Sequence, residues 1–196
     1  MKQYRNSERT KKWIRKAFIE LIAEKKSISK ITVNELAARA DVTKTTFYYH
    51  YDDIYAVAEE FENELIVELD DTIEKISRDN PTDYSEYIKT ILRFIKENED
   101  SYRLAVNASD LTIFANKLKN IFSKKMVTEA ADWGFSKDYE TRAVQVYFLG
   151  SACVDTVVQY LKGNLGSSLD LVGDVIIEAI GKLNDKPSVS FTNSRG

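Results

Sequence analysis

Apolar residues recur three and four positions apart along nearly the whole chain, and only 2 prolines and 7 glycines interrupt its 196 residues. A period near 3.6 with no competing strand alternation can bury its apolar side only by packing helix on helix. The expected fold is therefore all-α, with about nine helices. A hydrophobic share of 43% suffices for an ordinary core. No stretch approaches the roughly 18 apolar residues of a bilayer span, and the opening "MKQYRNSERTKKW" lacks the apolar block of a signal peptide. A cytoplasmic protein with no membrane association is expected. Cys153 is the only cysteine and His50 the only histidine. One chain can then build no disulfide, thiolate zinc site or His-based cluster, and no metal or cofactor is expected.

The first helix is expected over about residues 7 to 26, with Ile14, Ala17, Phe18, Leu21 and Ile22 on its apolar face and Arg9, Lys12, Arg15 and Lys16 mostly elsewhere. Thr32 and Glu35 form a Thr-x-x-Glu capping box at the start of a second, short helix. That helix buries Val33, Leu36, Ala37 and Ala40 and breaks at Asp41. Next comes "VTKTTFYYHY", residues 42 to 51. Its β-branched and aromatic residues read as a strand by propensity alone. Two short helices about three residues apart are the better reading, because Thr43 is placed to cap a third helix. In that helix Phe47 and Tyr51, four apart, join Val42 in the core. Lys44, Thr45, Tyr48 and Tyr49 point outward, with Thr46 and His50 at the edges. Tyrosines and threonines gain little on a face that meets only water, and much on one whose hydroxyls meet phosphates and base edges.

Asp53 is placed to cap a long fourth helix reaching about Ser77, striped by Ile54, Val57, Phe61, Leu65, Leu69, Ile73 and Ile76. Pro81 stops it, and Thr82 or Asp83 caps the next. Further helices are expected at about 83–97, 99–107, 110–133, 137–162 and 168–184. The C-terminal "NDKPSVSFTNSRG" has no periodicity and is expected to be disordered. The organisation read from this is a head at 1–52, a helical body at 53–184 and a tail at 185–196.

The net charge of −3 conceals an asymmetry. Residues 1 to 51 carry 12 Lys/Arg against 5 Asp/Glu, and residues 52 to 196 carry 16 against 26. A basic head on an acidic body points to a polyanion partner for the head alone, since attraction to phosphate fades within about a Debye length. An ordinary solvated charged surface is the bland alternative.

"ITVNELAARADVTKTTFYYHYDDIY", residues 31 to 55, resembles the DNA-binding signature of the TetR family of transcriptional regulators. Thr32, Leu36, Ala37, Ala40, Val42, Thr43, Phe47, Tyr48 and Tyr51 stand in the family's order and spacing. The resemblance implies an all-α homodimer whose subunits carry a three-helix DNA-binding head and a ligand-binding, dimerising body. It also implies that the third helix enters the major groove of an operator. Carried onto this chain, it makes Thr43, Lys44, Thr45, Thr46, Tyr48, Tyr49 and His50 candidate DNA contacts. Lys44 and Thr45 are placed for base edges, and Thr46, Tyr48, Tyr49 and His50 for phosphate. Thr32, at a helix N-terminus, is a further phosphate candidate, and Arg5 and Arg9 are placed to reach a neighbouring groove or backbone. Two departures stand out. Asp41 replaces the glycine common in the turn, and Ile54 replaces a lysine common at the start of the fourth helix, which puts one phosphate contact in doubt.

In the body, "AVQVYFLGSACVDTVVQYL" is apolar on nearly every face, which predicts burial on several sides. Gly150, Ser151 and Ala152 allow close backbone approach. The last helix carries Leu169, Val172, Ile176, Ile180 and Leu183 at spacings of three and four. The two together look like the family's dimerisation pair, with Leu169, Val172, Ile176 and Ile180 as the candidate interface. Candidate effector contacts are Tyr87, Tyr102, Asn107, Trp133, Cys153 and Asp155, the last because a carboxylate in an apolar helix needs a partner. No nucleophile with a neighbouring base, phosphate loop or metal spacing occurs, so no enzyme activity is expected. The reading is a sequence-specific DNA-binding regulator, a repressor released by a small-molecule effector. The alternative is a helical bundle that binds a small molecule or partner protein, its DNA binding weak or lost. A non-specific DNA-packaging protein fits the acidic body least.

Overall fold

Side chains at helix starts set the register of the fold. The computed structural model describes residues 2–78, 84–108 and 111–184, and over these it holds nine α-helices, two short 3₁₀ turns and no strand. The first four helices are α1 (Lys2–Lys25), α2 (Val33–Arg39), α3 (Lys44–His50) and α4 (Ile54–Arg78). They are followed by α5 (Tyr84–Glu97), α6 (Glu99–Ala108), α7 (Leu111–Glu129), α8 (Tyr139–Leu161) and α9 (Leu169–Asn184). Thr32 caps α2 in a complete capping box with Glu35, and Thr43 caps α3. Asp53 accepts the Ala56 amide at 2.8 Å to start α4, and Asp138 accepts the Thr141 amide at 2.8 Å to start α8. Each satisfies N–H groups that a helix start leaves without an intrahelical partner. Pro81, Thr82, Asp83 and the C-terminal tail lie outside the described residues.

Two boundaries differ from the periodicity. Helix α1 begins at Lys2 rather than near residue 7, because its polar first turns carry the helix by propensity, with no apolar stripe to mark it. The expected helix over 110–133 ends its α portion at Glu129 and closes in a 3₁₀ turn, Ala130–Trp133.

Ile14, Phe18, Leu36 and Phe47 are fully buried where α1, α2 and α3 meet, and the core continues without a break into the body. Tyr102 donates its hydroxyl hydrogen to the Leu65 carbonyl at 3.2 Å, tying α6 to α4. A Cβ on Gly150 would stand 3.0 Å from the Phe122 ring, so glycine there lets α8 lie close along α7.

The α8 and α9 stripes correct the sequence reading. Leu169, Val172, Ile176 and Ile180 are only 3, 5, 7 and 1% exposed within one subunit, so they belong to its own core. Spacing identifies an apolar stripe but not what covers it. The surface of this helix pair instead shows Val144, Tyr147 and Phe148 on α8 and Leu171 and Val175 on α9, each more than half exposed. Asp155 is exposed as well, four residues beyond Ser151 on the outer side of α8, and has no buried charge to balance.

Candidate nucleic-acid interface

Seven residues make a helix too short to hold itself in water, so α3 depends on its cap and its packing. The Thr46 amide donates to Thr43 Oγ1 at 3.1 Å, and the two hydroxyls share a hydrogen bond of 2.8 Å. Phe47 is completely buried, which contributes roughly 1.5–3 kcal/mol. Tyr51, which follows the helix, packs its ring 5.9 Å from that of Phe47. Asp41 adopts φ 55°, a left-handed conformation that a short polar side chain tolerates. The Val42 amide closes the turn on the Ala37 carbonyl at 3.0 Å. The turn therefore forms with aspartate where glycine is common.

This leaves one face of α3 in solvent. Lys44, Thr45, Tyr48 and Tyr49 are exposed and Thr46 is partly so, as the periodicity predicts. Tyr48 and Tyr49 are 56 and 75% exposed, so neither belongs to the core. The Tyr48 ring is braced edge-on by Phe47, with centroids 5.4 Å apart. The structure thus brings hydroxyls, aromatic faces and one cation onto a single helix surface, and Lys44 pairs with no acid among the described residues. Chemically this face can donate and accept hydrogen bonds in a groove and offer one point charge to phosphate.

His50 is half-buried, with Nδ1 3.5 Å from Ser7 Oγ on α1. Burial first, and then the Lys11 ammonium, hold its pKa below the ordinary 6.5. At neutral pH it is an uncharged ring that serves the α1–α3 packing. Thr32 is exposed, but its amide donates to Glu35 Oε2 at 3.0 Å and its hydroxyl to the same oxygen at 2.9 Å. A phosphate at this helix start would compete with a carboxylate already there. Ile54 is buried beneath the start of α4, while Tyr55 beside it is 59% exposed.

Among the described residues, four basic side chains of the head are paired with acids. Arg15 on α1 meets Glu60 at 2.6 Å and Glu64 at 2.8 Å on α4, and Lys11 meets Glu60 at 3.1 Å. Lys25 pairs with Glu35 at 2.6 Å. Arg39 on α2 grips Glu24 on α1 through both nitrogens, at 2.8 and 3.1 Å. Arg9 lies 4.9 Å over the Trp13 ring, and the side chain of Arg5 lies outside the described residues.

Residues 14–61 match the family described as bacterial regulatory proteins, tetR family. The head is thus similar to the DNA-binding domain of that family. The whole chain shares its fold with solved members. A TetR transcriptional regulator from Streptococcus agalactiae 2603V is 23% identical with a TM-score of 0.68, over 92% of this chain and 98% of that one. The dihydroxyacetone kinase operon activator DhaS is 17% identical with a TM-score of 0.62, over 89% and 95%. Thermus thermophilus FadR, a TetR-family repressor in complex with lauroyl-CoA, is 12% identical with a TM-score of 0.62, over 92% and 97%. No match was found among curated proteins. A TetR-like all-α fold with such a head supports DNA-binding transcription regulation. An activator and a repressor share the architecture, so the fold alone does not carry the sign.

The TetR-like body holds an apolar cavity of ≈ 60 Å³ between α4, α5, α7, α8 and α9. Ile73, Ile91, Ile95, Phe122, Cys153 and Ile176 are among its walls. Left empty, a space of this size costs on the order of 1 kcal/mol. Of the six effector candidates only Cys153 lines it, with its thiol pushed up to about 11 by burial. Tyr87 and Trp133 are buried nearby, rings 5.1 Å apart, and Tyr87 stacks 6.2 Å from the wall residue Phe122. Tyr102 is buried in the α4–α6 contact, whereas Asn107 and Asp155 are exposed. The candidates read from the sequence are mostly polar or aromatic, whereas the cavity is lined mainly by aliphatic side chains. Sequence reasoning also missed Glu62, a carboxylate only 2% exposed on α4. Its spacing of four from Ala58 and eight from Ile54 sets it on the apolar stripe, which was the available signal.

Among the described residues no group of His, Cys, Asp and Glu stands close enough to hold a metal ion, and no helix is long and apolar enough to cross a membrane.

Proposed function

We propose that the protein is a homodimeric, sequence-specific transcription regulator: a repressor that reads operator DNA with α3 and is released by a small molecule bound in its body. The observation that carries this reading is the exposed face of Lys44, Thr45, Tyr48 and Tyr49 on a helix locked from behind by Phe47 and Tyr51. Lys44 and Thr45, in the first turn of α3, reach base edges. Thr43, Thr46, Tyr48 and Tyr49 hold backbone, with Thr32 and His50 in supporting places. The head at 1–52 reads DNA, and the body at 53–184 dimerises and senses.

Two such heads fit a two-fold-symmetric operator with half-sites about 34–36 Å apart. The dimer face consists of Val144, Tyr147, Phe148, Leu171 and Val175, an exposed apolar set of the kind that marks an association surface. The cavity bounded by five helices of the body takes the aliphatic part of an effector. Such a ligand releases DNA only to the extent that it binds one spacing of the heads better than the other.

The test is a footprint of the purified protein on the DNA upstream of its own gene, with Tyr49→Ala as control. Protection of one discrete, roughly palindromic site, lost in the variant while the helical content is unchanged, is expected. Uniform protection of any duplex would remove the claim of sequence specificity.

A further inference from the structure

Three helices converge on one carboxylate. Glu60 of α4 receives Lys11 at 3.1 Å and Arg15 at 2.6 Å, both from α1. The same carboxylate stands beside the hydroxyl of Tyr51, which caps the C-terminal end of α3. That hydroxyl is buried and makes no hydrogen bond of ordinary geometry among the described residues. Lys11 also lies 5.3 Å from the Tyr51 ring centroid, so the lysine touches both the acid and the residue that ends α3. Glu64, one turn along α4, takes the other arm of Arg15 at 2.8 Å. Burial of the Tyr51 hydroxyl, and next the Glu60 carboxylate, push its pKa up.

We infer that Glu60 is a positioning residue for DNA recognition, holding the C-terminal end of α3 in a fixed attitude to α1 and α4. The inference rests on the reading of α3 as the DNA-reading helix, and its physical basis is the geometry of the junction. Helix α3 is anchored at its start by Thr43 and through its middle by Phe47. Its far end is fixed by Tyr51, whose polar tip faces Glu60. Without that carboxylate Lys11 loses its acid, Arg15 keeps only Glu64, and the Tyr51 hydroxyl loses the negative charge beside it. A seven-residue helix has little stiffness of its own to resist the resulting tilt. A tilt at this end displaces Tyr48 and Tyr49, one turn or less from Tyr51.

Positioning and plain electrostatics make opposite predictions for Glu60→Gln. Removing this acid frees Lys11 and leaves Arg15 with Glu64 alone, so electrostatics alone strengthens binding to any duplex. Loss of positioning weakens binding to the operator and leaves a scrambled duplex unaffected or slightly favoured. The experiment titrates wild type, Glu60→Gln and Glu60→Asp against the protected upstream fragment and a scrambled duplex of equal length, at two salt concentrations. The expected result is a drop of about tenfold in operator affinity for Glu60→Gln, no drop on the scrambled duplex, and an intermediate value for Glu60→Asp, which keeps the charge one methylene short. Tightening on both duplexes together would overturn the inference and reduce Glu60 to a charge neutraliser.

Amide hydrogen exchange of the free protein gives a readout that needs no operator. Glu60→Gln should speed exchange over residues 44–51 several-fold while residues 33–39 keep the wild-type rate. Equal exchange over 44–51 in the two proteins would overturn the positioning role whatever the DNA does. If wild type discriminates between no two duplexes, the regulator reading fails separately, and the exchange result still decides whether Glu60 holds α3.

Discussion

The hydroxyl of Thr43 accepts the amide hydrogen of Thr46 at 3.1 Å, closing the first turn of the exposed helix α3. With its hydroxyl removed, that amide has no protein acceptor at the helix start. Thr43→Ala should therefore lower stability by about 1 kcal/mol, read from the urea midpoint at unchanged slope. Thr43→Ser, which keeps the oxygen, should restore most of it. A Thr43→Ala protein as stable as wild type would show that packing of Phe47 alone fixes the helix.

Glu35 links the start of α2 to α1. The Lys25 ammonium, then the Thr32 hydroxyl and amide, lower its pKa from the ordinary 4.5 to about 2. The folded state therefore binds this proton less readily than the unfolded chain. The stabilisation is fully present above pH 4.5 and is lost as the pH falls towards 2. The melting temperatures of wild type and Glu35→Gln should differ at pH 7 and converge over that interval. A difference that is constant with pH would mean that Glu35 contributes through shape alone.

Phe148 is 69% exposed on the same side of α8 as Val144 and Tyr147. In the proposed dimer it is covered by the partner subunit, where a charge without a counter-ion is costly. Phe148→Glu should convert a dimer to a monomer in analytical ultracentrifugation with little change in helical content. Because Ile176 faces its own subunit, Ile176→Ala should instead cost about 2–5 kcal/mol of stability.

Cys153 tests the cavity from inside. With its thiol at about 11, roughly a thousandth is thiolate at pH 8, so iodoacetamide should modify the folded protein at least a hundredfold more slowly than a free thiol. Urea should abolish that protection, and an aliphatic ligand seated beside Cys153 should deepen it. Rapid alkylation of the folded protein would mean that the cavity opens freely to solvent.

Most helices were legible in the sequence because their signals are local. The Thr32 and Glu35 box, the Thr43 and Asp53 caps and the three-and-four spacings each act within one or two turns. The exposed face of α3 was legible for the same reason, once Phe47 and Tyr51 were assigned to the core. What was not legible depends on how helices face one another. Leu169, Val172, Ile176 and Ile180 satisfy a dimer stripe and a core stripe equally well by spacing, and only the position of α5 against α9 separates them. The internal pairing of Lys11 and Arg15 with Glu60 spans about 45 positions, so the count of basic residues overstated the charge the head has left for DNA. The cavity lies where five helices fail to meet, and no single helix records that.

The most direct test of the central claim is a titration of wild type and Lys44→Ala against the upstream fragment and a scrambled duplex over a range of salt. Lys44 is the single cation of α3, and four other basic residues of the head are held by acids. The account predicts saturable binding to one fragment that persists at the higher salt, with a slope that falls by about one in Lys44→Ala. Equal, weak binding to both duplexes that disappears with salt would contradict it, because phosphate attraction alone would then account for everything the head does.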